Sequence, residues 1–133
     1  MIYNPIYLAI MKLNHLDLQV SDIAAASKFF ETFFGLRETY RRAGQIAILE
    51  DETGFCFGLS NLHNSPPPVY PPDFHVGFIL DNTEQVRALY ERVRGAGIEI
   101  KFDLQEAGPN FAFQCFGPDR IPVEVRAPRG VRV

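Results

Sequence analysis

The chain has 133 residues, 47% of them hydrophobic and 22% charged, with a net charge of -3. That is enough for one compact domain with its own core, and it offers no basic stripe of the kind that holds nucleic acid. No run approaches the roughly 20 apolar residues that span a membrane. The first ten residues lack the basic start and small-residue cleavage site of a secretory leader. Cys56 and Cys115 lie in apolar runs without a CxxC pairing, which reads as two buried reduced thiols and a cytoplasmic location.

Residues 1–11 read as an N-terminal arm. A first strand follows over Lys12 to Val20, with Leu16, Leu18 and Val20 on one face and His15, Asp17 and Gln19 on the other. Ser21 or Asp22 can cap a helix whose stripe contains Ala24, Ser27, Phe30 and Phe34, and Gly35 ends it. Three short strands are predicted next, over Arg37 to Arg41, Gln45 to Glu50 and Phe55 to Ser60. The first unit therefore covers 12–60. The stretch 61–72 is rich in proline and reads as an extended linker.

A second unit, 73–127, repeats the first. Its strand spans Asp73 to Leu80, and Asn82 or Thr83 caps a helix with Val86, Leu89, Tyr90 and Val93 on one stripe. Gly95 and Gly97 end that helix. Strands are predicted at about Ile98 to Asp103, Asn110 to Phe116 and Ile121 to Arg126, with a tail over 128–133. His15 precedes Gly35 by 20 residues, and His75 precedes Gly95 by 20. The fold class is thus α+β, two βαβββ modules in tandem.

Three segments carry a family resemblance: NHLDLQVSDIAAASKFFETFFGL, HVGFILDN and GPDRIPVEV. They resemble the vicinal oxygen chelate superfamily, which includes glyoxalase I, fosfomycin-resistance transferases, extradiol dioxygenases and bleomycin-resistance binding proteins. The resemblance spans roughly residues 12–127. It implies a divalent metal ion (Zn, Fe, Mn, Ni or Co) held by His15, His75 and Glu124. It also implies a small oxygenated substrate and a homodimer whose sites are shared between subunits. Two imidazoles and one carboxylate on strands leave coordination positions open for substrate or water.

Departures from the relatives narrow the activity. Glyoxalase I has a fourth ligand, a glutamate on the fourth strand, where this chain has Gly58. Extradiol dioxygenases carry a tyrosine ten residues before the final glutamate, and here that residue is Gln114, which donates a hydrogen bond but does not titrate near neutral pH. Fosfomycin transferases usually show a threonine where Asp17 stands, and a Ser-rich loop where this chain has Lys101 and no serine. Asp17, as general base or as partner of a ligand histidine, and Gln114, as an orienting group, are the candidate catalytic residues. Arg126, Phe57 and Gln19 are candidates for binding substrate. His63, in the linker, reads as solvent-exposed. A second reading is a metal-free protein of the bleomycin-resistance type, which sequesters a small aromatic ligand.

Overall fold

A computed structural model of the chain describes residues 9–130, so the expected arm and tail lie partly outside the described residues. The first module holds β1 (His15–Gln19), α1 (Ile23–Phe34), β2 (Arg37–Arg42), β3 (Ile46–Glu50) and β4 (Cys56–Ser60). The second holds β5 (Val76–Ile79), α2 (Thr83–Gly95), β6 (Ile100–Ala107), β7 (Asn110–Phe116) and β8 (Pro122–Pro128). Each module makes its own four-stranded sheet, in the orders β1-β4-β3-β2 and β5-β8-β7-β6. The first strand of each module runs parallel to its last, and the remaining pairs are antiparallel. This is the α+β tandem architecture expected from the sequence. It leaves β1 and β5 at sheet edges.

Asp22 rather than Ser21 caps α1, accepting the Ala25 N–H at 3.0 Å. Ser21 instead donates both its N–H and its hydroxyl to Asp119, at 2.7 and 2.6 Å. Ile23, Ala26, Ser27 and Phe30 form the buried side of α1, and Ala24 is exposed. Because Ile23 takes the inner position at the helix start, the next residue is turned about 100° away. Ser27 is buried with its hydroxyl satisfied by Glu38 Oε1 at 2.7 Å. In α2, Asn82 is the cap, Val86, Tyr90 and Val93 are buried, and Leu89 is partly so.

The repeat is less regular in space than in sequence. Gly35 is the left-handed residue that closes α1, at φ 67°, whereas Gly95 is still helical and Gly97, at φ 81°, has the left-handed role. His15 opens β1, but His75 immediately precedes β5 instead of lying within it. The prolines before it hold a turn, in which Phe74 N–H donates to Pro71 O, and this delays the strand. β6 runs past the expected end to Ala107, with register shifts near Phe102 that break the apolar alternation.

The modules meet through side chains of both. Phe34 stacks on Phe78 with centroids 4.4 Å apart, and Arg92 Nη2 donates to Thr32 O at 2.5 Å. From the linker, the Tyr70 hydroxyl donates to the Gln19 carbonyl, and burial pushes that phenol up to about 12. Cys115 is buried and its thiol is pushed up to about 12 by desolvation. Cys56 is only half-buried, contrary to expectation, because it pairs with exposed His15 at the sheet edge. No helix among the described residues is long and apolar enough to cross a membrane.

Candidate functional site

Strand alternation places His15, Asp17 and Gln19 on the exposed face of β1, with Leu18 buried behind them. The same alternation on β8 buries Val123, Val125 and Ala127 and leaves Glu124 and Arg126 half-exposed. Glu124 is the hub of the second module. Its Oε2 lies 3.7 Å from His75 Nε2 and 3.7 Å from Arg126 Nη1. Its Oε1 lies 3.4 Å from the amide nitrogen of Gln114, which stands directly opposite on β7.

Both histidines are oriented by backbone. His15 Nδ1 is 3.2 Å from Cys56 O, and His75 Nδ1 is 3.0 Å from Asp73 O. A carbonyl only accepts, so Nδ1 carries the proton and, in the neutral ring, Nε2 presents its lone pair outward. That is the arrangement by which metal-ligating histidines are usually fixed. In kind these are donors that divalent ions take: imidazoles with Nε2 available, one of them 3.7 Å from a carboxylate and the other on the separate sheet.

The structure brings His75, Glu124, Gln114 and Arg126 together, and it places His15 and Asp17 on the edge of the other sheet. Among the described residues of one chain, no three His, Cys, Asp or Glu side chains are grouped as a metal ion requires. Asp17 Oδ1 accepts from Ser60 Oγ at 2.8 Å. Since the His15 Nδ1 partner is the Cys56 carbonyl, Asp17 is not what orients that ring. Gln19 lines a separate small hollow with Ser60, Asn61, Leu62, His63 and Ser65.

Between the modules lies an apolar groove of about 340 Å³. Phe55, Phe57, Phe74 and Phe78 wall it, and Asp51 and His75 are its polar lining. Phe57 forms part of its floor, nearly buried and edge-to-face with Phe30 at 4.8 Å. Sequence reasoning missed Phe55 and Phe74 as lining residues and Ser60 as the partner of Asp17. Ser60 was legible in principle, because it ends the strand that must pair with β1, but only once the register is known.

The model of the Glyoxalase/Bleomycin resistance protein/Dioxygenase superfamily matches residues 12–125, and the chain belongs to that superfamily. A solved structure described as a possible glyoxalase from Bacillus cereus is 30% identical. The match covers 87% of this chain and 98% of that one, with a TM-score of 0.76. Two more distant structures share the fold. A superfamily domain from Frankia sp. EAN1pec is 19% identical over 91% of this chain and 100% of its own, at a TM-score of 0.77. A lactoylglutathione lyase from Agrobacterium tumefaciens is 20% identical over 90% and 92%, at 0.71. No curated protein matches the chain.

Proposed function

We propose that the protein is a metal-dependent enzyme, a lyase or isomerase of the glyoxalase kind, acting on a small oxygenated molecule. It works as a homodimer in which His15 of one protomer joins His75 and Glu124 of its partner around one divalent ion. The observation that carries this reading is the matched pair of histidines. Each stands at the open edge of its own sheet, with Nδ1 anchored to a backbone carbonyl. Pairing the β1 edge of one copy with the β5 edge of another unites the two half-sites. Leu13 beside β1, and Phe74 and Ile79 beside and within β5, are exposed apolar residues that such a contact covers.

His15, His75 and Glu124 would hold a divalent ion, which would supply Lewis acidity toward substrate oxygen. The chain's own residues do the rest. Gln114 holds the Glu124 carboxylate through its amide. Arg126, half-exposed beside Glu124, pairs with negative charge on the substrate. Phe57 and its neighbours wall the apolar groove that His75 also lines, where the apolar part of a substrate would lie. A lyase or isomerase is favoured over an extradiol dioxygenase because Gln114, beside Glu124, orients groups but does not carry protons.

The test is metal analysis of the protein beside His15→Ala and His75→Ala, with a mixed sample refolded from both variants. The expected result is a bound divalent ion in the parent, none in either variant alone, and partial recovery in the mixture, because a mixed dimer holds one intact site. Turnover of dicarbonyls or their thiol adducts by the loaded parent then names the reaction. A parent that binds no divalent ion overturns the reading and turns the search to aromatic ligands of the groove.

A further inference from the structure

The two modules carry the same cross-strand pair in opposite senses. In the second module Glu124 on β8 stands opposite Gly77 on β5. In the first, Asp17 on β1 stands opposite Gly58 on β4. Each pair joins one carboxylate to one glycine, at the position two residues after the module's histidine. Only the strand that supplies the carboxylate is exchanged.

Neither glycine has a positive φ, so room and not backbone conformation is what each one provides. A Cβ on Gly58 would lie 2.8 Å from Asp17 Oδ2 and 3.0 Å from its Cγ, so the carboxylate would have to turn aside from its present position. A Cβ on Gly77 would lie 3.3 Å from the Glu124 carbonyl oxygen and 3.9 Å from Oε2. The Asp17 carboxylate thus occupies the space above Gly58 that a side chain from β4 would fill.

Its two oxygens differ. Oδ1 is held by the Ser60 hydroxyl at 2.8 Å, while Oδ2 has no hydrogen-bond partner among the described residues, and the side chain is exposed. His15 lies two residues back on the same face, where strand neighbours are about 6.5 Å apart and able to converge on one ion. In the second module, the histidine and the carboxylate opposite position 77 are already 3.7 Å apart.

The geometry points to Asp17 as a fourth protein donor of the metal centre, beside His15, His75 and Glu124. This rests on the metal-centre reading above. Two neutral imidazoles and two carboxylates balance the charge of a divalent cation, and the internal two-fold relation of the modules gives each histidine its own carboxylate.

Cobalt(II) tests it, because its visible spectrum reports the donor set independently of turnover. Metal-free parent, Asp17→Asn, His75→Ala and the exchange variant Asp17→Gly/Gly58→Glu are titrated with Co2+ and followed by absorbance and calorimetry. Asp17→Asn should weaken Co2+ binding by about tenfold or more and alter the visible bands. The exchange variant, which supplies the carboxylate from β4 as β8 does in the second module, should bind within a few-fold of the parent. Parental affinity and spectrum in Asp17→Asn, with binding lost in His75→Ala, would overturn the donor role and leave the metal centre standing. A folded exchange variant as weak as Asp17→Asn would also overturn it. A parent that takes up no Co2+ would sink both readings together.

Discussion

Arg126 approaches Glu124 at 3.7 Å through Nη1, on the same carboxylate oxygen that faces His75 Nε2. A guanidinium there occupies the flank of any cation that Glu124 holds, and like charges repel. Arg126→Ala should therefore tighten divalent-ion binding. The side chain is 41% exposed, so after screening the gain is about 1 kcal/mol, a factor of about five. Calorimetric titration with Co2+ checks the sign, and weaker binding in the variant would show that Arg126 supports the site instead of opposing the ion.

The two thiols should separate cleanly under alkylation. Cys115 is fully buried, and desolvation keeps it protonated to about 12, whereas Cys56 is half-exposed at the start of β4. Native protein at pH 8 should react at Cys56 alone, and denatured protein at both. Peptide mapping after labelling with iodoacetamide reads the outcome. Labelling of Cys115 in the native state would mean that the second sheet opens on the timescale of the reaction.

Asp119 should matter to stability despite its distance from the site. It accepts both hydrogen bonds of Ser21 and so ties the start of the first helix to the turn before β8. It does so at φ 54°, a conformation that Asp tolerates better than Ala. Asp119→Ala should cost about 1–2 kcal/mol, measured by urea unfolding. An unchanged midpoint would show that water replaces the carboxylate at no cost.

Tyr70 gives the alkaline limit a named contributor. Burial first, and Asp119 second, raise its phenol from 10.0 to about 12. Between those values the unfolded chain has released this proton and the folded one has not. Stability therefore falls as pH rises through that window, and the contribution is intact below it. Tyr70→Phe should flatten this part of the pH–stability curve, while losing the hydrogen bond to Gln19 O at neutral pH. An equally steep alkaline decline in Tyr70→Phe would assign it to other groups.

Most of the architecture was legible because the modules repeat one sequence pattern: a histidine at the first strand, a capped helix with an apolar stripe, and glycine near the helix end. Parity also identified the exposed faces of β1 and β8 before any contact was known. What parity does not convey is which edge meets which. It put His15, His75 and Glu124 on compatible faces, yet within one chain only His75 and Glu124 come together. The Ser21–Asp119 contact was unreadable for a related reason, since it joins residues from different modules that no local signal links. β6 was cut short because its outer residues are polar and its register shifts, which removes the alternation that marks a strand.

The crowding at Gly58 also couples the two positions of that pair. With Asp17 in place, even a methyl group at position 58 meets the carboxylate at 2.8 Å. A side chain at position 58 therefore requires the exposed Asp17 carboxylate to turn away from where it now lies. Position 58 and the Asp17 carboxylate thus share one volume, and a change at either one is felt at the other.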